Sequence, residues 1–364
     1  MKNEALPELI IDSASTSRFS QLPMRMQASM QDPSAVSVQI DDYLDRTYPS
    51  HRPGAAVLLA QNGRIVHRAA YGSADLAAQS PLAVNNVFRI GSLTKQFTAA
   101  AIMWLHERKQ VNVRDRLHHY LPSYPESGRS ICLEHLLKHT SGIRCFTDSA
   151  DFEQLEAKEL SQRQVLDLFQ HEALMFAPGT QFSYSNSGYF LLGLVIEKVS
   201  GRALAQFFHE EFFAPLGMHA TALEGHAGIW PIQGYTEDPD LQVAPPISMS
   251  TPFAAGALVS TLDDLFRWEQ QVGRAGVLSV ESWQRMWQPS PLPGGASSGY
   301  GYGFENRSID GLAVVDHDGG ISGFSAYSAR TLDQSLYVCV LSNNDSGEPS
   351  TIEVGERLIR MLAG

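Results

Sequence analysis

The sequence predicts an α/β protein, more strictly α+β, in which an antiparallel sheet is flanked by helices and interrupted by a mostly helical insertion. Three observations lead there. Gln61-Asn62-Gly63 separates two apolar runs, Ala55 to Ala60 and Ile65 to Ala70, which is the signal of a tight β-hairpin. Between about 116 and 249 apolar residues recur at helical spacing in segments at 131–139, 161–171, 188–199 and 203–213, set apart by Pro and Gly turns. Strands rich in Val, Tyr, Leu and Phe then resume at Leu312 to His317, Ser322 to Thr331 and Leu336 to Ser342, with Leu332-Asp333-Gln334-Ser335 as the turn between the last two.

Taken in order, residues 1–34 are rich in Ser, Pro, Gln and Met without sustained periodicity and read as a poorly ordered leader. Val36 to Leu44 fits a short helix, and the hairpin follows. Ser92 to Arg108 carries Leu93, Phe97, Ala100, Ala101 and Trp104 at helical spacing, the pattern of a buried helix. Further helices are expected at 261–271 and 350–362, with a Pro/Gly/Ser loop over 289–299. Both chain ends therefore build the sheet. The expected division is an α/β part of 35–115 and 250–364, with 116–249 as the helical insertion.

Composition narrows the function. With 364 residues, 43% hydrophobic and 18% charged, the chain can bury a full core and is neither disordered nor a disulfide scaffold. Acidic side chains outnumber basic ones 39 to 27, for a formal charge of −12, and no Lys/Arg block is present to neutralise phosphates, so a nucleic-acid partner is excluded. The longest nearly apolar stretch, Phe97 to Leu105, is about half the roughly 20 residues that span a bilayer. The N-terminal run Leu9-Ile10-Ile11 is too short for the apolar core of a secretory signal, which gives a cytoplasmic expectation, or a periplasmic one if a signal segment has been removed. Cys132, Cys145 and Cys339 are odd in number and irregularly spaced, as free thiols are.

Three short motifs carry chemistry. Ser92-Leu93-Thr94-Lys95 opens the buried helix. Residues three apart share a helix face, so the Lys95 amine can reach the Ser92 hydroxyl, while the helix N-terminus favours developing negative charge. A serine needs such a base to become a nucleophile, and semi-burial among Phe97, Ala100 and Trp104 lowers the amine pKa towards a base-competent range. In Tyr184-Ser185-Asn186, an extended backbone presents a phenol and a carboxamide on one side. At the end of the Val-rich strand, His317-Asp318-Gly319 is followed by Gly320, whose N–H can face an oxyanion, while His317 offers a donor or a charge. His226-Ala227-Gly228 matches the last pattern equally well but lacks strand context.

These motifs, in this order, resemble the serine β-lactamase and penicillin-binding protein superfamily. The flanking phrases Phe88-Arg89-Ile90-Gly91, His135-Leu136-Leu137-Lys138-His139-Thr140-Ser141-Gly142, Ala214-Pro215-Leu216-Gly217-Met218, Gly256-Ala257-Leu258-Val259-Ser260-Thr261 and Gly320-Ile321-Ser322-Gly323-Phe324 look like the branch holding class C β-lactamases, D-aminopeptidases, DD-peptidases and esterases. The resemblance covers about 36 to 362. It implies a β-lactamase/transpeptidase-like fold with the site in the cleft between its two parts; a small-molecule or short-peptide substrate is expected, and no cofactor or metal, because every role is filled by side chains or backbone N–H groups. It also implies roles. Ser92 would be the acylated nucleophile, Lys95 its proton acceptor, Tyr184 the general acid/base, Asn186 a substrate-amide ligand, and the N–H groups of Ser92 and Gly320 the oxyanion hole; His317 and Gly319, on the strand edge a substrate backbone can approach, are expected substrate ligands as well.

One departure matters. β-Lactamases usually carry Lys-Thr-Gly where this chain has His317-Asp318-Gly319, which turns the expectation from β-lactamase or DD-carboxypeptidase towards hydrolysis of small esters or D-amino-acid-containing amides. An unperturbed histidine is largely neutral by pH 8, so any preference for a free carboxylate is expected only below about pH 6.5. A catalytically silent receptor for β-lactams or peptides is the contrasting reading, and intact Ser92, Lys95 and Tyr184 speak against it. Two other patterns compete. Gly295-Ala296-Ser297-Ser298-Gly299 matches the nucleophile elbow of α/β-hydrolases, but prolines at 289, 291 and 293 precede it and no buried strand does, so Ser297 is expected to be exposed. Cys132, His135 and His139 could align as metal ligands on one helix face, yet the glutamate of H-E-x-x-H is missing and packing or capping roles are preferred. The oligomeric state is left open.

Overall fold

The computed structural model describes residues 33–149, 152–237 and 239–364, so the expected leader lies almost wholly outside the described residues. Six strands form one antiparallel sheet: β1 (Ala55–Gln61), β2 (Arg64–Tyr71), β3 (Glu305–Ile309), β4 (Leu312–Ile321), β5 (Phe324–Thr331) and β6 (Leu336–Ser342). Their order is β3-β4-β5-β6-β1-β2, so the C-terminal meander meets the N-terminal hairpin at β6 and β1, where Ala55 pairs with Ser342 and Gln61 with Leu336. Asn62 and Gly63 both take positive φ at the hairpin tip, as a two-residue turn between twisted strands requires.

Strand alternation divides the core in two. On one face Ala55, Val57, Leu59, Val338 and Val340 pack against Ile40 and Leu44 of helix α1 (Pro33–Thr47) and Val354, Leu358 and Ile359 of the closing helix α5 (Thr351–Ala363). On the other, Ala56, Leu58, Cys339 and Leu341 join a larger core built on helix α2 (Thr94–Glu107), helix α3 (Asn186–Ser200) and helix α4 (Leu262–Glu269). Helix α2 is buried along almost its entire length, which is why its apolar residues are not confined to one stripe.

Several boundaries differ from the sequence reading, each for a local reason. The 131–139 segment is helical only over Leu133–Leu137, because His139 adopts a left-handed backbone, φ +55. The 161–171 segment shortens to Gln162–Asp167 behind a Ser161/Gln164 capping box. The 203–213 segment is Leu204–Phe208 continued by a π-helical turn over His209–Phe213, and a helix at Val280–Trp287 adds to those expected. The strand expected to stop at His317 runs on to Ile321, so the His317-Asp318-Gly319-Gly320 run lies inside β4 and pairs with β5 rather than ending the strand. Among the described residues no helix is long and apolar enough to cross a membrane.

Candidate active site

Ser92 sits in a short 3-10 turn, Gly91–Leu93, that runs directly into α2. The turn crosses β4 backbone to backbone. A Cβ on Gly319 would lie 2.1 Å from the Ile90 carbonyl oxygen and 3.1 Å from Ser92 N, and one on Gly91, where φ is +49, would lie 3.1 Å from Gly320 N. Only glycine at 91 and 319 lets the nucleophile turn and the strand approach so closely. On the far side of that contact Gly320 is exposed, with nothing within 4 Å of where its Cβ would stand.

Lys95 is wholly buried, not semi-buried as its neighbours suggested. Its Nζ lies 2.9 Å from Ser92 Oγ, 2.8 Å from Asn186 Oδ1 and 2.8 Å from the Ala255 carbonyl oxygen. Burial pushes its pKa down to about 7. Two of the three neighbours can only accept. A neutral amine therefore gives one N–H to each carbonyl and is left with a lone pair directed at Ser92 Oγ. The Tyr184 hydroxyl donates to the same Oγ at 2.9 Å, and burial holds the phenol pKa well above its ordinary value, so it stays a donor. Ser185 is extended, φ −145 and ψ 114, and this brings Tyr184 and Asn186, one on each side of it, to the same corner.

His317 differs from the expectation. It is buried, 1% exposed, and both ring nitrogens are occupied: Nδ1 lies 2.6 Å from the Asp318 carbonyl oxygen and Nε2 2.8 Å from the Tyr300 hydroxyl. A carbonyl accepts only, so the ring proton is on Nδ1 and Tyr300 donates to a bare Nε2. Burial, with Lys95 nearby, pushes its pKa down to about 4. In this neutral form the ring has no spare N–H, which departs from the expectation of a substrate ligand acting as donor or cation.

A pocket of about 200 Å³ opens beside Ser92, walled by Phe146, Phe152 and Ile247 and edged by Thr147, Glu156, Asn186 and Gly320. No lysine or arginine is among the described residues lining it. Behind it, the rings of Tyr184, Tyr189, Tyr300 and His139 pack together, with His139 4.3 Å from Tyr184 between centroids. Tyr300, one residue past the expected 289–299 loop, was not among the candidate residues. Cys145, whose Sγ accepts from Asn186 N–H at 3.2 Å, and the Ala255 carbonyl were also missed. A backbone carbonyl leaves no mark in a sequence, but Tyr300 beside a Gly/Pro loop was a detectable signal.

The competing patterns separate from this corner. Ser297 is exposed in its loop. Cys132 and His135 cap the Leu133–Leu137 helix, Cys132 N–H donating to His135 Nδ1 at 3.3 Å, while His139 lies beyond that helix with its Nδ1 accepting from Ser185 N–H. The three do not converge, and among the described residues no group of His, Cys, Asp or Glu could hold a metal ion. All three cysteines are free and buried.

A serine on a helix-leading turn, a buried amine behind it and a phenol above it are the parts that acyl transfer through a serine hydroxyl needs. The model of the family described as Beta-lactamase matches residues 40–359, and the chain belongs to that family. It is 29% identical over 332 residues to penicillin-binding protein 4* of Bacillus subtilis, covering 85% of this chain and 73% of that one. To the D-aminopeptidase of Brucella canis it is 28% identical over 298 residues, which is 80% of this chain but 56% of the relative, so it spans little more than half the length of that protein. Among solved structures, an octameric penicillin-binding protein homologue from Pyrococcus abyssi superposes with a TM-score of 0.79 at 24% identity, over 90% of this chain and 77% of the other. A D-amino acid amidase from Ochrobactrum anthropi gives 0.77 at 23%, over 91% and 98%.

Proposed function

We propose that this protein hydrolyses ester or amide bonds of small substrates, short D-amino-acid amides and peptides among them, through an acyl-enzyme on Ser92. The observation that carries the reading is the Lys95 environment: two carbonyl acceptors and a lone pair left for Ser92. In acylation Ser92 Oγ bonds to the substrate carbonyl carbon and its proton passes to Lys95 Nζ. The N–H groups of Ser92 and Gly320 receive the oxyanion. As the acyl carbon parts from the leaving nitrogen or oxygen, that atom takes a proton from Tyr184, and the protonated Lys95, which shares Ser92 Oγ as a neighbour with the Tyr184 hydroxyl, returns one to the phenolate. Water then attacks the ester by the same route and frees the acid. Asn186 offers a substrate its amide nitrogen, since its oxygen faces Lys95.

The substrate class follows from the pocket and the kinship. Apolar walls at Phe146, Phe152 and Ile247 suit an apolar acyl side chain. The D-aminopeptidase relatives favour the same class. A neutral His317 supplies no cation for a terminal carboxylate, which speaks against a DD-carboxypeptidase. We further propose that the cleft between the helical segment 116–249 and the sheet-bearing remainder of the chain houses the site.

Mass spectrometry after fluorophosphonate treatment is expected to place the adduct on Ser92. A panel of short-chain esters, D-amino-acid amides, D-Ala-D-Ala peptides and a chromogenic cephalosporin should show turnover of the first two. Full activity in Ser92→Ala, or an adduct on Ser297, overturns the mechanism; exclusive turnover of D-Ala-D-Ala peptides overturns the substrate class.

A further inference from the structure

His139 meets none of the reacting atoms, yet it stands at the centre of the aromatic wall behind them. It is 1% exposed, and its backbone is left-handed, which residues other than glycine adopt at a cost. The turn it begins runs against the segment leading to Tyr184. The His139 carbonyl accepts from Ser183 N–H at 2.9 Å, the Thr140 carbonyl from Gly179 N–H at 2.8 Å, and the Gly142 carbonyl from Met175 N–H at 2.8 Å.

The imidazole completes this contact. Its Nδ1 accepts from Ser185 N–H at 3.0 Å, and because a backbone N–H only donates, Nδ1 is bare and the ring proton is on Nε2. Burial, then the neighbouring Lys95 and His317, hold its pKa well below the ordinary value and keep the ring neutral, while Nε2 meets no hydrogen-bond partner among the described residues. The ring also lies at a 32° tilt against Tyr184. One residue before the held N–H is the phenol 2.9 Å from Ser92, and one residue after it is the carboxamide 2.8 Å from Lys95. Rotation of the extended segment about Ser185 would carry both groups away together.

We propose that His139 is a positioning residue: bonded through Nδ1 to Ser185 N–H and packed at a tilt against the Tyr184 ring, it sets the phenol on Ser92 and the carboxamide on Lys95 at once. This rests on the Ser92 acyl-enzyme reading. A ring that only fills space could be exchanged for another ring, whereas a positioning residue needs its acceptor.

The test compares His139→Phe, which keeps an aromatic ring and removes the acceptor, with His139→Asn, whose Oδ1 can replace Nδ1 and whose side chain tolerates the left-handed backbone. With an activated ester, His139→Phe should lower kcat roughly 10- to 100-fold with KM within about threefold, the scale of a misplaced catalytic group, and His139→Asn should recover to within about fivefold of wild type. The rate of fluorophosphonate labelling at Ser92 should fall in parallel. Wild-type kcat in His139→Phe, or equal losses in the two folded variants, overturns the proposal. Absence of labelling at Ser92 in the wild type overturns instead the acyl-enzyme reading beneath it. Should neither variant fold, long-range 1H–15N NMR of the wild-type imidazole at pH 7 decides: the Nε2–H tautomer is expected, and an Nδ1–H tautomer overturns the proposal.

Discussion

Two buried nitrogen bases, Lys95 and His317, belong to this site, and burial lowers the proton affinity of both. They end with opposite capacities. Lys95 faces two carbonyl oxygens and one hydroxyl, so on losing a proton it keeps both carbonyl bonds and gains a lone pair for Ser92. His317 faces one carbonyl and one phenol, so in its neutral form each nitrogen is already occupied. Burial makes a base available at neutral pH; the hydrogen-bond inventory decides whether it has anything left to do.

The largest effects should come from breaking the Lys95 side of the comparison. Lys95→Ala and Tyr184→Phe are each expected to lose roughly 100-fold or more in kcat, the scale of general acid/base loss. In the wild type kcat/KM should rise with pH through about 7 as the amine sheds its proton. Steady-state kinetics from pH 5.5 to 8.5 check both. An acidic limb that His317→Asn abolishes would mean that the histidine, and not the lysine, is the titrating base.

How much of this was legible in the sequence follows the same division. Ser92 and Lys95 could be paired because a helix puts residues three apart on one face, and Tyr184 with Asn186 because an extended chain puts residues two apart on one side. Those are local rules, and the local structure obeys them: α2 starts at Thr94 and Ser185 is extended. The state of His317 was not legible, because its partner Tyr300 lies 17 residues earlier in a loop of no periodicity. His139 was visible as one residue of a flanking phrase and as a candidate ligand beside Cys132 and His135 on one helix, a placement lost when the helix ended at Leu137. Sheet order was legible in part: the β1–β2 hairpin and the β5–β6 turn followed from turn residues, but β3 was not foreseen, and the pairing of β1 with β6 joins segments nearly 300 positions apart that no local pattern records.

A middle-sized effect should come from His317. The sequence placed its titration near pH 6.5 and with it a window for carboxylate substrates; the structure moves its pKa to about 4. The ratio of kcat/KM for a free acid to that for its methyl ester should therefore stay flat from pH 5.5 to 8.5. His317→Lys adds a charge that burial does not remove as readily, and should raise that ratio roughly tenfold, one charge-assisted contact. It also deprives the Tyr300 hydroxyl of its acceptor, at about 1–3 kcal/mol of stability. A ratio that climbs as pH falls through 6.5 in the wild type would show that His317 titrates as a solvated histidine and that its two hydrogen bonds are wrongly assigned.

The smallest effect is thermodynamic and isolates Lys95 from catalysis altogether. Its folded pKa, about 7, lies below the ordinary lysine value of 10.5 that the unfolded chain retains. Between those two values the unfolded chain holds a proton that the folded protein has released, so stability rises with pH across that window and is lost as pH falls back through about 7. The slope for one such proton is at most about 1.4 kcal/mol per pH unit. Cysteines and tyrosines titrate in the same range, so the informative quantity is the difference between wild type and Lys95→Met in urea unfolding at pH 7, 8 and 9. Wild type should gain on the variant at each step. Parallel stability curves would mean that Lys95 stays charged in the folded protein, and the lone pair directed at Ser92 would then be lost with it.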